Sequence, residues 1–182
     1  MVTEHTAPYL TEAALGRFLN ERIGGEIVHD GVVPGAARKF RPDYRIVGQK
    51  VLVEFDGPDH YTKAEKILSD QKRDHLFADL GFWTIRIPFF IQLDRNVIEH
   101  LFVGLAMDTS RFLDFPQGFI SKDVPCPADF CELGIDKFVA DLKRFHYIRA
   151  AILKSLSEKV SERGDWRGVY PRSLYSEFGK CD

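Results

Sequence analysis

Acidic residues stand at the ends of two neighbouring β-rich segments of this 182-residue chain. The first segment follows Arg41-Pro42-Asp43, and the second, residues 50–56, ends in Glu54-Phe55-Asp56. Gly48-Gln49 between them is a turn signal, so the two segments are predicted to pair as a hairpin. Side chains alternate along a strand, so Glu54 and Asp56 point the same way, and a hairpin would let Asp43 reach the same spot.

Three carboxylates in one place repel one another unless a cation lies between them. Clusters of oxygen ligands suit Mg²⁺ or Mn²⁺, and such sites typically hydrolyse phosphodiesters. His60 follows a tight turn after Asp56, from which its ring could swing back over the site. There it would act as a general base toward water or as a general acid toward the leaving 3′ oxygen. We therefore expect Asp43, Glu54 and Asp56 to provide the metal ligands, with His60 beside them.

Basic residues surround the first acid of this set. Between residues 36 and 50 the one acid is Asp43, and the basic residues are Arg38, Lys39, Arg41, Arg45 and Lys50. A basic approach to a carboxylate site suits a phosphate polyanion, and we expect Arg41, Arg45 and Lys50 to contact phosphate. The net charge of −2 gives no global attraction to nucleic acid. That value counts against a DNA-coating protein, but not against a local nucleic-acid site.

These motifs resemble the PD-(D/E)XK nuclease superfamily, in particular the branch of very-short-patch-repair endonucleases and their EDxHD homing-endonuclease relatives. The resemblance covers residues 10–105, over half of the chain. Its ordered motifs are Thr11-Glu12-x-x-Leu15-x-x-x-Leu19, Arg41-Pro42-Asp43, Glu54-x-Asp56-Gly57-x-x-His60, Asp70-x-x-Arg73-Asp74-x-x-Phe77-x-x-x-Gly81 and Trp83-Thr84-Ile85-Arg86-Ile87.

The resemblance implies a role for several matching residues. Asp43 would bind the metal and the scissile phosphate, and Glu12 on the first helix would contribute to the metal or water site. Asp70 would orient His60 or a metal-bound water. Arg73 would hold a phosphate or pair with Asp70, which lies one helical turn away.

One position departs from the common pattern of the superfamily. There the second motif ends in a lysine two residues after the acid, whereas Asp56 stands in that place here. The repair-endonuclease branch also lacks that lysine and uses a nearby histidine. Which of Glu54 and Asp56 binds the metal is therefore left open. Asp74 and Arg86 are interpreted as structural ion-pair partners.

The predicted elements follow the order α-β-β-β-α-β, which indicates an α/β sandwich with a central mixed sheet flanked by helices. The resemblance implies the restriction-endonuclease-like version of this architecture. Thr11 is a capping residue for the first helix, and Gly24-Gly25 ends it. Further helices are predicted over residues 62–80 and 96–106.

Three segments are expected along the chain. A nuclease core spans residues 1–106, an irregular connector spans 107–133, and a C-terminal helical extension over 134–182 packs on the same domain. Within the extension, residues 135–160 are predicted to form one long amphipathic helix. That helix either packs over the core or forms a dimer interface.

The hydrophobic pattern and the cysteine content indicate the cellular compartment of the protein. The chain has no run of about 18 apolar residues and no signal-peptide pattern, so we expect neither a membrane span nor secretion. Its three cysteines are an odd number in a chain without a secretion signal, which favours reduced thiols and a cytoplasmic protein.

The sequence thus predicts an Mg²⁺- or Mn²⁺-dependent endodeoxyribonuclease of restriction, repair or homing type. Its expected partner is DNA, double-stranded by family analogy alone, and a homodimer is left open. One alternative is a nuclease-like fold that serves only for DNA binding or assembly. Another is a hydrolase of a small phosphorylated substrate, which the open, basic approach disfavours because such sites are usually enclosed and apolar.

Overall fold

The structure is a computed structural model that describes residues 9–37, 40–105, 107–108, 115–121 and 123–175. Arg38, Lys39 and Cys181 lie outside these residues. The described residues divide into two compact units. Those up to Asp56 and from Ser69 to Pro116 form the first unit, and those of Gly57–Leu68 and from Gln117 onward form the second. None of the helices in the described segments is both long enough and apolar enough to cross a bilayer.

The described residues contain helices, strands and short 3-10 turns. The helices are α1 (Glu12–Arg22), α2 (Asp59–Thr62), α3 (Ala64–Asp79), α4 (Arg95–Leu101), α5 (Glu132–Arg144) and α6 (Arg149–Arg163). The strands are β1 (Ile27–His29), β2 (Tyr44–Ile46), β3 (Val51–Asp56) and β4 (Trp83–Pro88). The 3-10 turns are Pro127–Asp129, His146–Ile148, Trp166–Gly168 and Arg172–Leu174.

The four strands form one mixed sheet in the first unit, in the order β1-β2-β3-β4. β1 pairs antiparallel with β2, β2 pairs antiparallel with β3, and β3 pairs parallel with β4. The predicted hairpin is therefore confirmed, and so is the α/β class with a mixed sheet. The element order also matches the prediction, apart from the additional short helix α2.

Helix α1 forms for the reasons that the sequence indicates. The hydroxyl of Thr11 accepts a hydrogen bond of 3.1 Å from the amide of Ala14, which satisfies one of the free N–H groups of the first turn. Leu15, Phe18 and Leu19 are spaced to share one face of the helix, and all three are buried. The helix thus covers one side of the sheet through an apolar stripe.

The two faces of the sheet pack against different helices. On one face, the Tyr44 hydroxyl donates a 2.8 Å hydrogen bond to the backbone oxygen of Glu12 in α1. On the other face, Leu52 of β3 packs in a buried cluster with Phe77 of α3. Because side chains alternate along a strand, Glu54 and Asp56 lie on the same face as Leu52, beneath the first-unit part of α3.

The long helix predicted over residues 135–160 is wrong. α5 ends at Arg144, a 3-10 turn occupies His146–Ile148, and α6 begins at Arg149. The backbone leaves helical geometry at Phe145, with φ −101° and ψ 39°. Phe145 and Ile148 are nevertheless buried. The apolar pattern of the sequence therefore continues across the break between the two helices and does not indicate it.

Two other predicted helices differ from the structure. The helix expected over residues 62–80 is interrupted at Lys63, whose extended backbone separates α2 from α3. Leu68, an apolar residue of α3, is 46% exposed. The helix expected over residues 96–106 ends at Leu101, and residue 106 lies outside the described residues.

The second unit has its own aromatic core. Tyr61 of α2 is fully buried, and its ring centroid lies 5.1 Å from that of Phe130. The Tyr61 hydroxyl donates a 2.7 Å hydrogen bond to Asp141 of α5, and the ammonium group of Lys137 lies 3.0 Å from the same hydroxyl. The buried hydroxyl therefore has hydrogen-bond partners.

The predicted division of the chain into segments that meet near residues 106 and 133 stays a prediction.

Candidate active site

Asp43 is tied to the end of β3. It directly precedes β2, and its Oδ2 accepts a 2.6 Å hydrogen bond from the backbone amide of Phe55. Phe55 lies between Glu54 and Asp56 in β3. One carboxylate from the first strand of the hairpin and two from the second therefore lie at the same end of the sheet.

Glu54 is buried on the face of the sheet toward α3. It is 1% exposed, and its Oε2 accepts a 2.9 Å hydrogen bond from Arg73 of α3. Its Oε1 is buried and has no hydrogen-bond partner among the described residues. Burial raises the pKa of Glu54 to about 8, because loss of water penalises the charged form more than the Arg73 and Arg86 guanidinium groups favour it.

Asp56 is held by an arginine of the neighbouring strand. Arg86 of β4 donates a 2.6 Å hydrogen bond to Oδ1 of Asp56, which is 0% exposed. The same guanidinium makes two further bonds of 2.8 Å to both carboxylate oxygens of Asp74 on α3. The prediction that Asp74 and Arg86 are ion-pair partners is confirmed, and Asp56 belongs to the same network.

Asp70 connects the two arginines. It is 6% exposed, and its Oδ1 accepts a 3.0 Å hydrogen bond from Arg73. Oδ1 also lies 3.8 Å from Arg86. Of the two roles given to Arg73, pairing with Asp70 is present in the structure, and phosphate binding stays a prediction. This pairing places the guanidinium of Arg73 between Asp70 and Glu54.

Five carboxylates gather at this end of the sheet. We call the set of Asp43, Glu54, Asp56, Asp70 and Asp74 the acidic cluster, and its members form ion pairs with Arg73 and Arg86. Burial raises the pKa of Asp43, and the carboxylates of Glu12 and Asp56 add to that rise while the Phe55 amide opposes it. The raised pKa values of Asp43 and Glu54 thus lower the negative charge of the cluster.

The chemistry of the donors suits a hard divalent cation, although the side chains are not arranged as its ligands. All the acids supply oxygen, as Mg²⁺ and Mn²⁺ require. Within the described segments, no three acidic, histidine or cysteine side chains are grouped as a metal site. Arg86 binds Asp56 and Arg73 binds Glu54, but the pKa of Glu54, like that of Asp43, is raised, so its negative charge is incompletely compensated. Glu54 and Asp43 are therefore the better-suited donors.

Glu12 lies beside the cluster on α1. Its carboxylate is half exposed, and its Oε1 lies 3.2 Å from Nε2 of His29 on β1. Its negative charge contributes to the raised pKa of Asp43, so it is close enough to Asp43 for an electrostatic interaction. The catalytic role that the resemblance gives to Glu12 stays a prediction.

The three predicted phosphate-binding residues are spread along the hairpin. Arg41 is exposed, forms a 3.3 Å ion pair with Asp30, and accepts a hydrogen bond from Arg73 through its backbone oxygen. Arg45 lies opposite Leu52 in the sheet, so its side chain is on the face of Glu54. Lys50 lies in the turn before β3, at the opposite end of that strand from Asp56. The structure thus brings Arg41 and Arg45 nearer to the acids than Lys50.

His60 belongs to the second unit. It lies in the short helix α2, is 8% exposed, and donates its backbone amide to the backbone oxygen of Gly57 at 3.0 Å. Its role as a proton donor or acceptor stays a prediction.

The bond between Arg86 and Asp56 was not predicted from the sequence. It depends on the register of the parallel pair, in which Glu54 lies opposite Arg86. The one signal in the sequence is an arginine in an otherwise apolar strand. Such a residue needs a buried acid as its partner. That signal indicates that a partner exists, but it does not identify Asp56.

Comparisons with protein-family models, with curated proteins and with solved structures find no match to this chain.

Proposed function

We propose that this chain is a metal-dependent DNA endonuclease with a restriction-endonuclease-like fold. The single observation that carries the proposal is the position of Asp43, whose side chain is bonded to the β3 backbone between Glu54 and Asp56. The ordered motifs from Glu12 to Arg86 and the α-β-β-β-α-β order support the same conclusion. DNA as the substrate, rather than RNA, is taken from the resemblance.

Asp43 and Glu54 would hold Mg²⁺ or Mn²⁺. Such a cation would polarise the phosphate and promote ionisation of water at neutral pH. The fit rests on the oxygen donors, on the gathering of five carboxylates, and on the buried Oε1 of Glu54, which has no hydrogen-bond partner among the described residues. Arg73 now bonds to Oε2 of Glu54, so binding of a cation would require that bond to lengthen or break.

The other residues of the acidic cluster would keep these donors in position. Arg86 fixes Asp56 and, through Asp74, ties β3 and β4 to α3. Arg73 carries a positive charge within the cluster, where it can stabilise the negative charge that develops on a phosphate during hydrolysis. In that reaction the attacking water oxygen bonds to phosphorus, the bond to the 3′ oxygen breaks, and that oxygen takes up a proton.

A second candidate is a nuclease-like fold that binds DNA without cutting it. The observation that favours it is the pairing of Glu54 with Arg73 and of Asp56 with Arg86, since both bonds neutralise carboxylates that a metal would need. This alternative predicts DNA binding without turnover under every metal condition.

The test is cleavage of supercoiled plasmid by the full chain in Mg²⁺, in Mn²⁺ and in EDTA. Asp43→Asn removes one charge but keeps an oxygen that can accept the Phe55 amide. Asp79→Asn, at an exposed position of α3, is the matched control. The proposal predicts metal-dependent nicking or linearisation that Asp43→Asn abolishes and Asp79→Asn retains. Uncut plasmid in both metals, or equal cleavage by Asp43→Asn, would contradict it.

A further inference from the structure

A groove lies beside the acidic cluster on the α1 side of the first unit. It has a volume of about 530 Å³, and its lining includes Glu12, Gly16, Arg17, Asn20, His29 and Tyr44. This volume falls in the range of about 300–1,000 Å³ that small-molecule sites occupy. The lining residues come from one face of α1 and from the adjoining ends of β1 and β2.

Two aromatic rings form one wall of the groove. The rings of His29 and Tyr44 have centroids 5.1 Å apart and are tilted by 36°. The His29 side chain is 60% exposed, so one face of its ring is open to a ligand. Gly16 allows this arrangement, because a Cβ there would overlap the Tyr44 ring. The wall is therefore built by a close contact between α1 and β2.

The rest of the lining is polar, and its charges offset one another. Glu12 and Arg17 are both exposed on α1 and carry opposite charges, and Oε1 of Glu12 lies 3.2 Å from Nε2 of His29. Asn20 donates its side-chain amide to the Gly16 backbone oxygen at 2.8 Å. A groove with an open ring face, polar side chains and little net charge suits a neutral, planar and polar group better than a free anion.

The groove adjoins the proposed catalytic acids. Tyr44 directly follows Asp43, but consecutive side chains point to opposite faces, so Glu12 is the residue that links the groove to Asp43. Glu12 lines the groove and also raises the pKa of Asp43 by its charge. A nucleic-acid strand with one phosphate at Asp43 would therefore carry its neighbouring nucleoside over the groove.

We propose that the groove between α1 and the strands β1 and β2 binds one unstacked nucleoside of the substrate strand, next to the phosphate held at Asp43. This inference rests on the proposed nuclease function. The base stacks on the His29 ring, and the sugar and base edges face Glu12, Arg17 and Asn20. Recognition by stacking is tolerant of sequence, since every base has a ring face to offer.

Binding of labelled oligonucleotides tests this site apart from catalysis. Fluorescence anisotropy of the full chain is measured in Ca²⁺, in place of Mg²⁺, with an oligodeoxythymidine and with an abasic strand of the same length. His29→Ala removes the open ring. His75→Ala, at an exposed position of α3, is the matched control. Arg17→Ala is a second variant in the polar part of the lining, and circular dichroism checks that each variant is folded.

The site predicts that the wild-type chain binds the oligodeoxythymidine about tenfold more tightly than the abasic strand, in the range expected for one stacked base. His29→Ala removes that preference, Arg17→Ala reduces it, and His75→Ala retains it. Equal affinity of the wild type for both strands, or an unchanged preference in His29→Ala, would overturn the inference. Plasmid cleavage that still depends on Asp43 would then leave the nuclease proposal intact, so the two failures are distinguishable.

Discussion

The carboxylate of Asp43 accepts a 2.6 Å hydrogen bond from the backbone amide of Phe55. This bond joins the start of β2 to the end of β3, where Glu54 and Asp56 flank Phe55. It also places a partly buried carboxylate beside two buried ones, and the pKa of Asp43 is raised as a result of burial and of nearby negative charge. The clustering of these acids therefore follows from the pairing of the hairpin.

The raised pKa of Glu54 predicts that stability falls with rising pH. In the folded chain the pKa of Glu54 is about 8, whereas in the unfolded chain it is near its ordinary value of 4.5. The folded state therefore binds more protons between about pH 5 and pH 8, and the free energy of unfolding decreases across that window. Asp43, whose pKa is also raised, contributes in the same direction.

Urea unfolding at a series of pH values, for the wild type and Glu54→Gln, measures this effect. The neutral glutamine removes the proton-linked term, so the variant should lose part of the slope and gain roughly 1–3 kcal/mol over the wild type above pH 8. The same slope in both proteins would show that Glu54 does not titrate in this window.

Arg86 should be the most important cation for the stability of the first unit. Arg86→Ala leaves Asp56, which is 0% exposed, without its guanidinium partner and also frees Asp74. Loss of one partner of a buried pair costs about 3–5 kcal/mol. Arg41→Ala is the control, because Arg41 pairs with Asp30 at the surface, where ion pairs contribute about 1 kcal/mol or less. Equal effects of the two substitutions on the urea midpoint would contradict the account of the cluster.

Gly134 permits close contact between α5 and α2 in the second unit. A Cβ at this position would overlap the backbone oxygen and carbon of Tyr61, which cannot move aside as a flexible side chain could. The same Tyr61 oxygen accepts the amide of Cys131 at 3.1 Å. Gly134→Ala should therefore destabilise the chain by about 1–3 kcal/mol, even though alanine favours a helix more than glycine does.

The matched control for Gly134 is Gly24→Ala. Gly24 has open space around its Cβ position, so this substitution should change the free energy of unfolding by no more than about 1 kcal/mol in either direction. A thermal or urea midpoint for Gly134→Ala equal to that of the wild type would show that α5 does not need the glycine.

Local patterns in the sequence predict the elements of the first unit well. Thr11 and the apolar spacing after it define α1, and the alternation in residues 50–56 defines β3 and the shared face of Glu54 and Asp56. Both patterns are local, so they can be recognised without knowledge of tertiary contacts. The convergence of Asp43 with these two acids then requires only that the two strands pair as a hairpin.

The rest of the site depends on non-local register. Arg86 meets Asp56 because β3 and β4 pair in parallel through a connection that contains two helices, and the sequence does not specify which residues lie opposite one another. The break at Phe145 escapes prediction for a related reason. Apolar residues on both sides of it remain buried, so the periodicity is the same for one helix or for two.

The central claim, that Asp43 and Glu54 hold a divalent cation, is tested most directly by Mn²⁺ binding. Electron paramagnetic resonance titration of the metal-free full chain would compare the wild type, the double variant Asp43→Asn with Glu54→Gln, and the control Asp79→Asn. We predict one site in the wild type and in the control, with an affinity at least about tenfold lower in the double variant, since even outer partners of metal ligands contribute on that scale. Equal Mn²⁺ affinity in all three proteins, or no binding by the wild type, would contradict the claim.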